Sequence, residues 1–426
     1  MTAATIGMPA SSQSRRDVTA AVIGNVLEWY DFGVYGFVAA ILARNFFPGK
    51  DEVTALLATF LTFGLGFVAR PIGAIVLGRM GDTHGRKAAL LVTIFLMASG
   101  TVLIGILPTY ATIGFMAPLL LLVARLMQGF STGGEWGGST SFIVEWAPPG
   151  RRGLYGSFQQ MSVVAGLLLG SGFAALLNTL MTADTMASWG WRIPFLVGGL
   201  LGPVGIYMRR TIDETPAYTK MAKAGPVTSG PGGFGLAARA FGFTIVWTVA
   251  FYVLLNYMPT WTQKYMKLTA ASALWSNTIG LVVLMAAIPL MGLLSDRVGR
   301  KPLLLGCCVA FVIVPWPLFT YLASGNVPFG MLIAVQILFA LLISMFSGAG
   351  PAAIAEIFPT RSRSTWMTTG YALAVAIFGG FAPYISIWLI ETFGAPTVHS
   401  YYLIAAAVVS VVVIWTLKET AFDELA

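Results

Sequence analysis

The stretch GRMGDTHGRKAAL at residues 78–90 recurs as GLLSDRVGRKPLL at residues 292–304. Both copies contain a glycine, an aspartate, a second glycine and an arginine–lysine pair, and they start 214 residues apart in a chain of 426 residues. A second echo has Glu145 ahead of PPGRR in one half and Glu356 ahead of PTRSR in the other. A unit repeated in parallel at half the chain length predicts a transporter built from two helical bundles.

The composition around these loops is that of a membrane protein. The chain is 57% hydrophobic and 10% charged, with a mean hydropathy of +0.80, whereas soluble domains carry about 25% charged residues. Matched against a span of about 20 residues, the apolar runs predict an all-α protein of twelve transmembrane helices. These lie near 18–45, 54–80, 87–107, 112–146, 153–181, 191–210, 240–266, 271–294, 302–324, 328–357, 364–393 and 399–418.

The basic residues give the orientation of these helices. With the N-terminus inside, eighteen lysines and arginines fall in cytoplasmic segments and five outside, and Arg70 and Arg125 remain within helices. This bias satisfies the positive-inside rule, so the net charge of +8 needs no nucleic acid. The predicted units are a cytoplasmic tail at 1–17, a bundle at 18–210, a linker at 211–239, a bundle at 240–418 and a second cytoplasmic tail at 419–426.

The motifs resemble those of a known family. The duplicated GxxxDxxGRK loop is similar to the signature of the major facilitator superfamily. EWYDFGVYG, RLMQGFSTGGEWGG, WGWRIPF and RRTIDETPAY together resemble the metabolite:proton symporters, which include carriers of citrate, 2-oxoglutarate, shikimate and proline or betaine. The resemblance extends over essentially the whole chain and implies proton-coupled transport.

The resemblance also implies that the duplicated loops form a cytoplasmic gate that latches the two bundles when the carrier faces outward. Glycines allow the tight turn, and the aspartates can pair with arginines or with a helix N-terminus. The alternative is that the loop charges only set the topology. The predicted gate residues are Gly78, Asp82, Gly85, Arg86, Asp296, Gly299 and Arg300.

Charged side chains inside the predicted helices mark the candidate proton site. Glu28 and Asp31 share a helix face with Tyr35, and depth counting puts them level with Arg125. Intramembrane charges face a partner or a watery cavity. We expect one layer with Arg125 beside Glu28 or Asp31, and a second layer with Arg70 beside Glu135. The proton-coupling set is Asp31, Glu28, Glu135 and Arg125, with Asp31 favoured as the exchanging acid; buried structural pairs are the alternative.

Polar residues on the same helices are candidates for solute binding. Arg125, Gln128, Thr132 and Glu135 recur at i, i+3, i+7 and i+10, within one quadrant of a continuous helix. Neutral polar groups on two further helices can hold a carboxylate or ammonium group by hydrogen bonds. The predicted substrate-binding set is Arg125, Gln128, Tyr35, Gln159, Asn256 and Tyr257.

These features predict uptake of a small organic acid, such as a di- or tricarboxylate, by proton symport across the cell (inner) membrane. A proton symporter of a zwitterionic osmolyte, such as proline or betaine, and an uncoupled facilitator are the alternatives. With no Walker loop, metal cluster or Ser-His-Asp set, we expect neither an enzyme nor a cofactor or metal. The expected partners are the solute, the proton and the lipid bilayer, the chain acting as a monomer without nucleic acid.

Overall fold

The computed structural model describes residues 12–49, 51–84, 86–133, 135–145, 147–210, 233–358 and 363–423. Within these ranges, the side chains at 12–23, 78, 81–90, 135, 138, 142, 201, 204–210, 233 and 363–365 are not described. Every regular element in the described ranges is a helix.

Over the residues that the structure describes, the N-terminal half has eight main helices, with short turns at Tyr110–Ile113 and Ala183–Thr185 and a π-helical turn at Met186–Gly190. The helices are α1 Ser12–Phe37, α2 Ala39–Phe46, α3 Glu52–His84, α4 Arg86–Ile106, α5 Met116–Ser131, α6 Glu135–Glu145, α7 Arg152–Leu180 and α8 Arg192–Arg210. Since α1 begins at Ser12, part of the predicted tail at 1–17 is helical.

In its described residues, the C-terminal half has nine helices and two π-helical segments. They are α9 Gly233–Phe251, the π-helical segment Tyr252–Tyr257, α10 Met258–Tyr265, α11 Ala270–Val298, α12 Arg300–Ile313, α13 Pro315–Leu322, α14 Phe329–Glu356, α15 Arg363–Ala374, the π-helical segment Val375–Gly379, α16 Ala382–Phe393 and α17 His399–Thr416. Residues 233–239, predicted as linker, belong to α9, and residues 211–232 lie outside the described residues.

These helices account for the predicted membrane spans. Within the described residues, seven helical segments are long and apolar enough to cross a membrane, and the count is nine when two bent pairs each form one span. The pairs are α1 with α2, bent by 63°, and α12 with α13, bent by 45°. The shorter apolar helices α4 and α5, together with α8, bring the set to the twelve predicted spans.

The predicted fourth span is interrupted. We expected one helix over 112–146, but α5 ends at Ser131 and α6 begins at Glu135. A Cβ on Gly129 would lie 1.7 Å from the Gly66 carbonyl oxygen, and one on Gly133 would lie 2.3 Å from a backbone nitrogen of α3. Backbone-to-backbone contact between α3 and α5 therefore extends to the site of the break. Because the helix is interrupted between Ser131 and Glu135, our assumption that Gln128 and Glu135 lie on one face of a continuous helix is wrong.

The two halves contact each other on both sides of the midplane. At the outer end of α7, the Trp275 indole N–H donates to the Thr179 hydroxyl at 3.1 Å. Nearer the midplane, the Ser171 and Thr278 hydroxyls lie 2.9 Å apart. At the cytoplasmic end, the backbone of Gly153 bonds to the C-terminal half. In this conformation α7 and α11 hold the halves together along their length.

Candidate functional site

A chain of hydrogen bonds connects three helices of the N-terminal half. Arg125 Nη1 donates to Gln128 Oε1 at 2.8 Å, Gln128 Nε2 donates to Thr101 Oγ1 at 2.8 Å, and Thr101 Oγ1 donates to Asp31 Oδ2 at 2.7 Å. All four side chains are buried. The donors run from Arg125 toward Asp31, an order that suits an ionised carboxylate. The Thr101 hydroxyl has the Met97 carbonyl oxygen as a second acceptor at 3.0 Å.

We predicted a direct pair of Arg125 with Glu28 or Asp31, and the structure connects Arg125 to Asp31 through this chain instead. The described residues show no ion pair between these two side chains. Gln128 follows Arg125 by three residues, so it occupies the same face of α5 and joins the guanidinium to Thr101 on α4. The charge on Arg125 therefore acts on Asp31 through two neutral side chains.

Aromatic rings surround both buried arginines. The Arg125 Cζ lies 4.3 Å from the centroid of the Tyr35 ring, and the Phe32 and Phe63 rings are also within 5 Å. The Tyr35 hydroxyl donates to the Thr59 carbonyl oxygen at 3.0 Å. Tyr35 thus contributes its ring to a cation–π contact, and its hydroxyl is occupied within the protein.

Arg70 on α3 makes the same type of contact. Its Cζ lies 4.3 Å from the Phe67 ring centroid, 4.5 Å from that of Phe32 and 5.7 Å from that of Trp29. The predicted partner Glu135 has its side chain outside the described residues, so this second layer stays a prediction.

Many buried polar atoms near the interface of the two halves lack a hydrogen-bond partner among the described residues. Native proteins leave few such atoms unsatisfied, so each of them is a group that a solute or a water molecule can bind. They are Arg70 Nε and Nη2, Arg125 Nε and Nη2, Asp31 Oδ1, Trp136 Nε1, Gln159 Nε2 and Oε1, Gln160 Oε1, Thr248 Oγ1, the Tyr252 hydroxyl and Asn256 Oδ1.

Several of these atoms belong to a small aromatic cavity between the halves. The cavity has a volume of about 10 Å³ and contains four aromatic side chains of α9, α15 and the Tyr252–Tyr257 segment. Its lining is Trp29, Gln160, Thr244, Trp247, Thr248, Phe251, Tyr252 and Tyr371. Trp136 extends this wall, because its ring stacks on that of Tyr371 at a centroid distance of 3.5 Å. We call this site the aromatic cavity.

The predicted substrate residues Gln159, Asn256 and Tyr257 do not line the aromatic cavity. Gln159 is buried on α7, and Asn256 and Tyr257 end the π-helical segment of the seventh span. Asn256 packs on Gly36, where a Cβ would lie 2.1 Å from its Oδ1. The centroid of the Tyr257 ring lies 5.8 Å from that of the Phe60 ring in the other half. π-helical turns are frequent at functional sites, and this one carries Tyr252 and Asn256 at the interface.

The C-terminal copy of the predicted gate joins the two halves. The carboxylate of Asp296 accepts the backbone N–H groups of Gly153 and Leu154, at 2.8 and 2.9 Å, at the N-terminus of α7. Arg300 Nη1 lies 2.8 Å from Asp296 Oδ1. An anion at a helix N-terminus is stabilised by the free N–H groups and the helix dipole.

Glu356 and the residues after α17 complete this latch. Glu356 pairs with Arg300 at 3.3 Å and with Arg152 of the other half at 3.1 Å. Glu419 accepts the backbone N–H groups of Arg300 and Lys301, both at 2.9 Å. Partial burial raises the pKa of Glu419, but the backbone hydrogen bonds that its carboxylate accepts outweigh this effect, so the pKa is lowered.

The glycine of the loop is explained by this arrangement. Gly299 has a φ of +102°, and a Cβ there would lie 2.6 Å from Glu419 Oε2, so a side chain would be both strained and obstructed. In the N-terminal copy, the side chains of Gly78, Asp82, Gly85 and Arg86 lie outside the described residues.

Sequence reasoning missed several residues of this site. Thr101 stands in an apolar run with no pattern that marks it. Trp29 and Trp136 lie within the quoted motifs EWYDFGVYG and RLMQGFSTGGEWGG, so the motifs themselves carried a signal. Arg152 and Glu419 join the gate only through the folded contact between α7, α12 and the C-terminal tail.

Two repeated helical halves, held against each other around buried polar groups, define a membrane transporter of the two-bundle type. Residues 18–225 match the family model described as sugar (and other) transporter, and residues 253–425 match that of the major facilitator superfamily. The chain belongs to the major facilitator superfamily. It is accordingly a multi-pass protein of the inner membrane.

Individual relatives cover nearly the whole chain. The proline/betaine transporter of Escherichia coli strain K12 is 35% identical over 433 residues, covering 96% of this chain and 84% of that protein. The citrate-proton symporter of Klebsiella pneumoniae is 38% identical over 389 residues, covering 90% and 87%. The xylose transporter XylE from E. coli, in a partially occluded inward-open conformation, shares the fold with a TM-score of 0.74 at 19% identity, covering 96% and 99%.

Proposed function

We propose that this protein takes up a compact zwitterionic solute, of the proline or betaine type, together with protons. The observation that carries the proposal is the aromatic cavity next to a buried guanidinium, since Trp29 both lines the cavity and lies 5.7 Å from Arg70 Cζ. The similarity to proline/betaine transporters over 96% of the chain supports the same choice. Our sequence prediction of an organic acid has less support.

The aromatic cavity suits the cationic end of such a solute. Trp29, Trp247 and Tyr252 present ring faces and edges from both halves, and Trp247 lies 6.0 Å from Tyr371. Aromatic rings attract quaternary and secondary ammonium groups and do not require hydrogen bonds from them. Because the rings come from both halves, a bound ammonium group would hold the halves together at the midplane.

Arg70 suits the anionic end. Its Nε and Nη2 are buried and have no hydrogen-bond partner among the described residues. A solute carboxylate bound there would satisfy two donors at once, in the place that we predicted for the Glu135 carboxylate. A solute that spans Arg70 and the aromatic cavity needs its two charges only a few ångströms apart, as they are in proline and betaine.

Proton coupling is assigned to the chain that connects Asp31 with Arg125. When Asp31 is ionised, it accepts the donors that originate at Arg125. When Asp31 is protonated, the hydrogen bond from Thr101 weakens, and so do the bonds from Gln128 and Arg125 that precede it in the chain. Arg125 is then free to interact with other groups. Arg125 and Arg70 share the Phe32 ring, at 4.9 and 4.5 Å, so a change at Asp31 is transmitted toward the solute site.

The test is reconstitution into liposomes with an imposed inward proton gradient. We expect accumulation of labelled betaine or proline, abolished by a protonophore, with little accumulation of citrate. If the gradient accelerates accumulation of none of these solutes, proton symport is wrong. If only citrate accumulates, the solute assignment is wrong and the coupling assignment stands.

A small carboxylate is the second candidate. It is favoured by the two buried arginines with unpartnered nitrogen atoms, Arg70 and Arg125, and by the citrate-proton symporter of K. pneumoniae among the relatives. A solute with several carboxylates would need both arginines and would leave the aromatic cavity without a role. Variants of the cavity therefore separate the candidates: Trp247→Leu should weaken betaine uptake and leave citrate uptake unchanged.

A further inference from the structure

A second cavity lies inside the N-terminal half. It has a volume of about 60 Å³ and lies between α1, α4, α5 and α8. Residues on its wall include Glu28, Asp31, Thr93, Ala98, Thr132 and Gly202, and every lining residue belongs to the N-terminal half. We call it the N-terminal cavity. The solute site between the halves shares no lining residue with it.

The two oxygens of Asp31 have different surroundings. Oδ2 accepts from Thr101 at 2.7 Å, whereas Oδ1 is buried and has no hydrogen-bond partner in the part of the chain that the structure describes. A Cβ on Gly198 would lie 2.4 Å from Oδ1, and Gly198 lines the N-terminal cavity. The unpartnered oxygen of Asp31 therefore faces the wall of this cavity, on the side opposite the hydrogen-bonded chain to Arg125.

The N-terminal cavity runs from Asp31 toward the cytoplasmic end of the bundle. Gly24, which also lines it, precedes Asp31 by seven residues on α1, or about 10 Å along the helix axis. Thr93 on α4 and Gly202 on α8 likewise lie on the cytoplasmic side of Thr101 and Gly198. A water molecule needs about 10–15 Å³ of such volume and two or more polar partners. The cavity offers room for several waters, and Glu28, Thr93 and Thr132 offer the polar partners.

We propose that protons travel between Asp31 and the cytoplasm through the N-terminal cavity, on a route separate from that of the solute. This rests on the proposed function for its physiological meaning. In the step, the O–H bond at Oδ1 of protonated Asp31 breaks and the proton passes to a cavity water, leaving the carboxylate. That water's excess proton then passes by way of the Glu28 carboxylate to cytoplasmic water. No oxidant or further reactant is required.

The charged groups around Asp31 fit this role. On α1 the neighbours are Glu28 and Tyr30, whose hydroxyl donates to the Pro194 carbonyl oxygen at 2.9 Å. Arg125 is the only charged residue of α5. The described residues of α4 and α8 that line the cavity are uncharged. The carboxylate left at Asp31 is therefore stabilised by the donors from Arg125, and Glu28 is the only other acid among the described residues that line the cavity.

The first test measures access to the two cavities with the silver ion, a cation of water size that reacts with thiols. The background carries Cys307→Ser and Cys308→Ser, since both native cysteines are free and buried. Ala98→Cys reports on the N-terminal cavity and Thr248→Cys on the aromatic cavity. In inside-out vesicles, we expect silver to block the Ala98→Cys thiol at the same rate with and without saturating betaine. Betaine should protect the Thr248→Cys thiol.

The proposal is overturned if Ala98→Cys does not react from the cytoplasmic side, or if betaine protects both thiols equally. Residual free thiol is counted by mass spectrometry, so this readout does not depend on transport. Failure of the reconstituted wild type to accumulate any solute would reject the proposed function, and the thiol result would still decide whether the route exists.

The second test fills the N-terminal cavity. Ala98→Leu adds bulk to its wall, Ala98→Ser adds only a hydroxyl, and Ser99→Leu adds the same bulk on α4 at a residue that does not line it. We expect Ala98→Leu to lower proton-driven uptake at least tenfold while leaving solute counterflow within twofold, because counterflow needs no net proton release. Counterflow also shows that the variant is folded. Thr132→Leu fills the cavity from α5 and should act alike. Equal losses of uptake and counterflow, or no loss of uptake, would contradict the proposal.

Discussion

Removing the negative charge of Asp296 should open the cytoplasmic side of the carrier. The carboxylate accepts two backbone N–H groups from the other half, at 2.8 and 2.9 Å. In Asp296→Asn one of these N–H groups faces the amide NH₂, which cannot accept, and the ion pair with Arg300 is lost. Hydrogen bonds to charged groups contribute about 1.5–3 kcal/mol each. These bonds exist only while α7 touches α11. We therefore expect the substitution to destabilise the closed cytoplasmic side by about 3 kcal/mol relative to the open one, which shifts the equilibrium between them roughly 150-fold.

The assay is a distance distribution between spin labels at Arg151→Cys and Arg297→Cys, two exposed positions on opposite sides of the gate. We expect the wild type to give one short distance and Asp296→Asn to add a longer, dominant component. Glu52→Gln is the matched control, because the Arg44–Glu52 pair lies within one half and both side chains are more than 60% exposed, so it contributes little. An unchanged distribution in Asp296→Asn would refute the reasoning.

Three further predictions concern the coupling chain, the aromatic cavity and the tail. Gln128→Leu breaks the connection between Arg125 and Thr101, so proton-driven uptake should fall by about 10–100-fold, as losses of about 1.4–2.7 kcal/mol imply, while counterflow persists. Parallel losses of uptake and counterflow would contradict this. Trp247→Leu should weaken betaine binding by about 5–30-fold, as a cation–π loss of about 1–2 kcal/mol implies, and calorimetry should find Trp247→Phe less affected; equal effects would argue against ring recognition. The pKa of Glu419 is lowered in the folded chain, so its stabilisation is complete above the ordinary glutamate pKa and is lost as the pH falls through the lowered value. Thermal unfolding across that acid range should be less pH-dependent in Glu419→Gln, and an identical pH profile would remove Glu419 from the latch.

The fold could be predicted because its determinants are local in sequence. The duplicated loop, the apolar run lengths and the bias of basic residues each depend on residues close together in the chain. The interruption between Ser131 and Glu135 could not be predicted, since it lies where the glycines of α5 meet the backbone of α3. Contacts between distant segments decide such breaks.

The candidate site was predictable only in part. Charged residues in a membrane helix stand out, which is why Asp31 and Arg125 were found. Thr101 joins them, but a hydroxyl in an apolar run has no signal of its own. The aromatic cavity draws on both halves, so its rings come together only when the halves dock. We predicted an organic acid because the sequence shows the cationic residues inside the helices. The aromatic cavity forms only when the two halves dock, so the sequence did not reveal it. The monomeric state and the absence of a nucleic-acid partner stay predictions.

The account depends most on the exchange of a proton at Asp31. The most direct measurement compares Asp31→Asn with the wild type in proteoliposomes, recording betaine accumulation under an inward proton gradient and counterflow without one. We predict that Asp31→Asn abolishes accumulation and retains counterflow, because the neutral amide keeps an acceptor for Thr101 but cannot take up and release a proton. Proton-driven accumulation by Asp31→Asn at the wild-type level would contradict the account.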